Sequence, residues 1–223
     1  HSQQTFTIGV ILDNPPVVTA GNVLSYTENQ AAAAIDPAVT VIDPDNADLT
    51  GATVQITGGY VNGEDVLAFV NTASITGSFN AATGTLTLTG TDTVANYQAA
   101  LASVTYFNNS DNPSGAARTV TFITNDGILD STPVTSTINV TPVNDAPSVT
   151  ASGNPNSTFT EGGAAVAVDS AIVLADVDSA NLQSAFVGIT GNWGGQTDLL
   201  TFDVTGTNIT GSFDPNSGGL TFS

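Results

Sequence analysis

The sequence TPVNDAP occupies residues 141–147 and lies between two strand-like runs. Proline has no backbone N–H to donate to a neighbouring strand, so Pro142 and Pro147 interrupt β-pairing at this point. Between them, Asn144 and Asp145 supply an amide and a carboxylate oxygen, ligands of the kind that Ca²⁺ takes. The segment therefore predicts a junction between two β-modules, with acidic groups placed to bind a metal ion.

Composition restricts the possible partners. The chain has 223 residues, 20 acids and a single Lys or Arg, Arg118, which gives a net charge of -19. Such a charge repels nucleic acids and anionic membrane surfaces, so neither is expected as a partner, and no apolar run is long enough to insert into a membrane. One base can balance few of these acids, and bound cations are the simplest remaining counter-charge. The absence of cysteine excludes disulfides and thiolate metal sites.

An internal repeat defines the domain organisation. The pattern of residues 26–69 recurs at 159–202 with an offset of 133, and the sequence ITGSF of residues 75–79 recurs at 209–213 with an offset of 134. We predict a complete module over 13–143 and the first part of a second module over 144–223.

Residues 1–12 resemble the strand that ends the complete module, and they are predicted to be the last strand of a preceding, otherwise absent module. Two explanations stay open. The chain is either a piece of a longer tandem array or a subunit whose end pieces are completed by neighbouring chains.

The local patterns predict an all-β fold. Short runs of alternating apolar and polar residues, rich in Thr and Val, occur at 53–56, 85–88, 104–107 and 119–122, with Asn- and Gly-rich turns between them. One segment, 93–101, instead has helical spacing and is predicted to be a short helix. Regular short strands over about 130 residues favour an antiparallel β-sandwich with Greek-key connections.

These motifs resemble a known family. NDAP at the junction, Thr-Glu near each module start and Asp-x-Asp some fifteen residues later are similar to the cadherin-like tandem repeats of giant bacterial surface proteins and RTX-type calcium-dependent adhesins. The resemblance covers nearly the whole chain. It implies seven-strand Ig-like sandwich modules, Ca²⁺ between modules, and an extracellular role in adhesion, biofilm or surface-layer structure. The helix predicted from residues 93–101 adds one short helix per module.

The acids that keep register between the two copies are the candidate metal ligands, because ligands have a physical reason to recur and solvated surface acids do not. The predicted cluster at the junction comprises Glu28, Asn144, Asp145, Asp176, Asp178 and Asp198. Its predicted equivalent in the first module comprises Asp13, Asn14, Asp43, Asp45 and Asp65, and Glu161 is included as the counterpart of Glu28. The alternative is that these acids only cap turns.

Catalysis is not expected. The only histidine is His1, lysine is absent, and only three glutamates occur, so nucleophilic triads and lysine chemistry have no candidates. Tyr60 and Trp193 occupy equivalent glycine-bordered loops. Each could stack on a sugar ring or, alternatively, cover an open end of the sandwich core.

Three functions are compatible with these patterns. The preferred one is a calcium-stiffened spacer or stalk of a bacterial extracellular adhesin or surface fibre. The alternatives are a subunit of a self-assembling extracellular filament and a carbohydrate-binding module. The expected partners are neighbouring modules or copies of the same protein, with a surface glycan or protein receptor as a further possibility.

Overall fold

The computed structural model describes residues 12–152 and 157–223, which form two compact units, His1–Val143 and Asn144–Ser223. Each unit is described by itself. The predicted strand within residues 1–12 lies almost entirely outside the described residues.

The first unit contains eleven strands and one helix among its described residues. In chain order they are β1 Val17–Thr19, β2 Val23–Thr27, β3 Ala33–Ala34, β4 Thr40–Ile42, β5 Asp48–Gly58, β6 Asp65–Ala68, β7 Thr76–Asn80, β8 Thr85–Thr93, α1 Val94–Ala102, β9 Thr105–Asn108, β10 Arg118–Asn125 and β11 Val134–Thr141. The all-β prediction is confirmed. The four alternating runs fall in β5, β8, β9 and β10, and the predicted helix is α1, with Thr93 as its N-cap.

These strands form sheets on either side of one core. The larger sheet has the order β2-β11-β10-β5-β8-β7, and two smaller sheets have the orders β3-β9-β6 and β1-β4. Apolar residues of both sides meet in the core, among them Val54 and Phe122 from the large sheet and Leu67 and Tyr106 from the small one. Nearly all pairs are antiparallel, but β2 runs parallel to β11, a pair that the antiparallel prediction did not include.

The parallel pair arises where the chain crosses between sheets. β1 pairs with β4, and the next strand, β2, pairs with β11. Buried Asp36 fixes this crossing, because its Oδ2 accepts hydrogen bonds from the backbone N–H groups of Gly21 and Asn22, both at 3.0 Å, and from the hydroxyl of Ser136 at 2.7 Å. Burial alone would raise the pKa of Asp36, but these donors together with the N–H of Ala38 lower it.

The second unit repeats part of this architecture. Its described elements are β12 Ser148–Thr150, β13 Val173–Ala175, β14 Ala185–Gly188, a short 3₁₀ helix Gly195–Thr197, β15 Gly211–Asp214 and β16 Gly219–Phe222. β12 pairs with β13 in the register of β1 with β4, and β14-β16-β15 corresponds to β5-β8-β7. Among the described residues of this unit, Leu220 is the one large apolar side chain in the buried core.

Candidate functional site

Four of the predicted ligands of the first unit lie together: Asp43 and Asp45 in the loop after β4, and Asp13 and Asn14 in the segment before β1. Asp43 Oδ1 accepts the N–H groups of Asp45 at 3.1 Å and Asn46 at 2.8 Å, so the Asp-x-Asp sequence folds into a tight turn. Asp45 Oδ2 accepts from the backbone N–H of Asn14 at 3.1 Å and from its side-chain amide at 2.9 Å. Asp13 Oδ1 accepts from the Asn46 amide at 3.0 Å.

This cluster leaves carboxylate oxygens available. Asp13 Oδ2 and Asp43 Oδ2 are buried and accept no hydrogen bond from the described residues. In each of these two carboxylates, Oδ1 accepts hydrogen bonds that hold the loop, and Oδ2 is available to a cation. A hard divalent cation is bound by oxygen ligands, mostly from several carboxylates.

The second unit builds the same loop from the repeated residues. Asp176 Oδ1 accepts the N–H groups of Asp178 at 3.3 Å and Ser179 at 2.9 Å. Asp178 Oδ2 accepts the N–H of Asp145 at 2.7 Å, which corresponds to the bond from Asn14 to Asp45, and this bond lowers the pKa of Asp178. The amide of Asn144 donates to the Asp145 carbonyl oxygen at 2.7 Å.

Glu28 occupies a different position, just beyond the end of β2. Its side chain is only 5% exposed, and its Oε2 accepts the N–H of Val143 at 2.7 Å. Its Oε1 is buried and accepts no hydrogen bond from the residues that the structure describes. A carboxylate oxygen of Asp111 lies within 4.8 Å of one of Glu28. Two carboxylates this close repel each other, and a bound cation would remove that repulsion.

The sequence did not identify Asp111. It lies in a loop without a counterpart in the second copy, so comparison of the two copies could not select it. The available signal is the polar run NNSDNP at residues 108–113, whose composition is typical of a turn. Glu161, the counterpart of Glu28, is exposed beside the positive-φ residue Gly162.

Asp65 is buried against protein donors. Its Oδ1 lies 3.2 Å from Nη2 of Arg118, in an ion pair whose two side chains are fully buried. The same oxygen accepts from the Tyr106 hydroxyl at 2.6 Å and the Asn108 amide at 2.8 Å, and Oδ2 accepts the N–H of Val61 at 2.7 Å. The counter-charge of Asp65 in this unit is therefore arginine. Burial and the bond to Asp65 raise the pKa of Tyr106.

The two candidate stacking residues lie against hairpin glycines. A Cβ at Gly84 would stand 2.8 Å from the ring of Tyr60, and one at Gly218 would stand 2.9 Å from the ring of Trp193. Tyr60 also donates to the Ala81 carbonyl oxygen, and Trp193 makes an edge contact with Phe213 at 6.2 Å. Each ring thus packs on its own hairpin, and stacking of either ring on a sugar stays a prediction.

Comparison with known proteins gives one informative similarity. No protein-family model matches the chain. A stretch of 105 residues, 45% of the chain, is 35% identical to Halomucin of Haloquadratum walsbyi and spans 1% of that protein's length. Within the described residues, no helix is both long and apolar enough to cross a membrane.

Proposed function

We propose that this chain is a segment of an extracellular array of β-sandwich repeats, which acts as a spacer or stalk at a bacterial cell surface. In this array Ca²⁺ stiffens the linker between consecutive units. The observation that carries the proposal is Glu28, a buried carboxylate with one oxygen tied to Val143 and the other without a donor beside Asp111. The location and structural role draw on the similarity to Halomucin, a far longer protein whose name marks it as a mucin.

The donor chemistry agrees with a calcium ion. Every candidate ligand is an oxygen, and Ca²⁺ collects six to eight of them in flexible geometry. Glu28 and Asp111 supply two carboxylates at the end of the first unit where the linker begins. We add the linker residues Asn144 and Asp145 because they follow Val143 directly in the chain.

The stiffening follows from charge. At a net charge of -19 with one base, adjoining units repel each other in the absence of cations. An ion that binds carboxylates of the unit and of the linker removes that repulsion and restricts rotation about the linker bonds. The proposal includes a role in adhesion or biofilm formation and membership of the cadherin-like adhesin family. It also includes neighbouring modules, or copies of the chain, as the partners.

The direct test is calcium titration by calorimetry on the 223-residue chain. We expect saturable binding in the wild type, at least a tenfold loss of affinity at one site in Glu28→Gln and in Asp111→Asn, and no change in Asp48→Asn, which replaces an exposed acid outside the clusters. Unchanged binding in both Glu28→Gln and Asp111→Asn would remove the support for this site.

A further inference from the structure

The first unit has a cavity that none of the acidic clusters uses. It lies between the loop that follows β6 and one side of α1, and its volume is about 390 Å³. Cavities of this size are typical of small-molecule sites, which combine an apolar wall with a few polar groups. We refer to it as the α1 cavity.

Much of the wall of the α1 cavity is apolar. Phe69 packs against the core of the unit, and a Cβ at Gly77 would lie 2.9 Å from its ring, so the ring is held in place from that side. Ala100 of α1 is buried, and Val70 is 86% exposed. A ligand with an aliphatic part would cover these side chains and remove apolar surface from water.

The charged group of the cavity is Asp92, near the end of β8. Its Oδ1 accepts the side-chain amide of Asn96 at 2.6 Å and the N–H of Thr93 at 2.8 Å. These hydrogen bonds lower the pKa of Asp92, so the group is a carboxylate at neutral pH. Arg118, the only Lys or Arg of the chain, cannot neutralise it, because Arg118 is fully buried against Asp65.

The wall offers hydrogen-bond acceptors, while several of its donors are engaged within the protein. The hydroxyls of Ser103 and Thr72 donate to backbone carbonyl oxygens at 2.7 and 3.5 Å, and the amide of Asn96 donates to Asp92. The Oδ1 of Asn96 accepts no hydrogen bond from the described residues. Such a wall suits a ligand that only donates, and an ammonium group has three donors and no acceptor.

We infer that the α1 cavity binds a primary alkylammonium group, with Asp92 as its counter-charge and Phe69 against its aliphatic stem. An aromatic ring also attracts a nearby cation through its negative face. The chain contains no lysine, so a copy of these 223 residues cannot supply the group through a side chain. The inference goes beyond the proposed function, and the cavity shares no residue with the site of Glu28 and Asp111.

The test is an NMR titration of the isotope-labelled 223-residue chain with two amines, n-butylammonium and Nα-acetyl-lysine methylamide. The first represents a free amine and the second a lysine within a polypeptide. n-Butanol, which has the same aliphatic chain without the charge, is the ligand control. High salt and chelator are present throughout, because high salt screens the diffuse attraction of any cation to an acidic chain.

Three variants separate the carboxylate from the cavity shape. Asp92→Asn keeps an oxygen that accepts from Thr93 and Asn96 but removes the charge. Asp48→Asn is its matched control, because Asp48 is an exposed acid that pairs with Thr93 across the sheet and does not line the cavity. Ala99→Leu fills the cavity from an exposed position of α1 with a residue that favours helix.

We expect both amines to bind saturably, with chemical-shift changes confined to residues 69–74 and 92–103, and n-butanol to bind far more weakly. Asp92→Asn should weaken binding at least about tenfold, Ala99→Leu should abolish it, and Asp48→Asn should leave it unchanged. The amine that binds more tightly identifies the source of the group. Shift changes spread over the acidic loops, equal binding by Asp92→Asn and the wild type, or equal binding of n-butanol and n-butylammonium would overturn the inference.

Discussion

The two units share their loops but not their core. The Asp-x-Asp turns form the same hydrogen bonds in both, and Asp65 Oδ2 accepts the Val61 N–H as Asp198 Oδ2 accepts the Gly194 N–H. The carbonyl oxygens of the hairpin glycines Gly84 and Gly218 likewise accept the N–H groups of Ile56 and Ile189. Yet Tyr26 is 0% exposed and its counterpart Phe159 is 61% exposed. Turn geometry is thus set by a few residues close in sequence, whereas burial depends on strands that lie far along the chain.

Backbone conformation supports the same distinction. Positive φ occurs at equivalent positions whichever residue is present: Asn29 and Gly162, Gly59 and Asn192, Gly84 and Gly218. Gly and Asn tolerate this region better than other residues, so the loops keep their shape with either. The loops are therefore independent of the core, and matched substitutions in the two units should separate local from long-range stabilisation.

The largest difference is expected for the aspartates beside the loop at Val61 and Gly194. Asp65→Asn leaves Arg118 buried without a counter-charge and should destabilise the first unit by about 3–5 kcal/mol. Asp198→Asn in the 223-residue chain should have a much smaller effect, because the asparagine oxygen still accepts from Gly194. Hydrogen exchange followed by mass spectrometry resolves the two units, and equal effects would contradict the comparison.

A matched leucine pair tests the core directly. Leu49 is fully buried, and its counterpart Leu182 is partly exposed. Leu49→Ala should cost roughly 2–5 kcal/mol through lost burial and a cavity, and Leu182→Ala clearly less. Denaturant unfolding measures both variants, with Trp193 fluorescence as the probe of the second unit and hydrogen exchange as the probe of the first. A Leu182→Ala cost as large as that of Leu49→Ala would mean that the second unit has a closed core of its own.

A smaller difference is expected for Asp36 and Asp169. Hydrogen bonds lower the pKa of both, but Asp36 is buried and accepts a hydrogen bond from Ser136, 100 residues away, whereas Asp169 is exposed to a larger degree and accepts from the backbone N–H groups of Ser152 and Ala171. A lowered folded-state pKa gives stability that is present above the unfolded value of about 3.9 and is lost as the pH falls through the folded value.

Asp36→Ala should therefore destabilise the first unit by about 2 kcal/mol at pH 7 and flatten its loss of stability below pH ~4. Asp169→Ala should destabilise the second unit by clearly less than Asp36→Ala destabilises the first. Acid titration of the unfolding free energy checks both variants, and an unaltered acid limb in Asp36→Ala would show that this carboxylate does not contribute.

The sequence was sufficient to predict the all-β class, the four alternating runs that form strands and the helix. Alternation in runs such as residues 119–122 reflects a sheet with one buried face, and the cap at Thr93 marks the helix start. The parallel pairing of β2 with β11 could not be foreseen, because it depends on a crossing held by Asp36 and Ser136, 100 residues apart.

For the candidate site, comparison of equivalent positions in the two copies identified the aspartates that build the loops. It could not assign the role of each aspartate. Asp65 and Asp43 recur equally well, yet the first lies against Arg118 and the second keeps a free oxygen. Asp111 has no counterpart to compare, and its approach to Glu28 depends on the tertiary fold. The metal ligands named from the sequence stay predictions until an ion is bound to them.

The most direct measurement of the central claim is thermal unfolding of the 223-residue chain in 1 mM Ca²⁺ and in EDTA, for the wild type and Glu28→Gln. Ca²⁺ at about a thousandfold excess over the dissociation constant should stabilise the wild type by about 4 kcal/mol per site. Glu28→Gln should lose the part of this gain that comes from the Glu28 site. Identical unfolding of the wild type in Ca²⁺ and in EDTA would contradict the account.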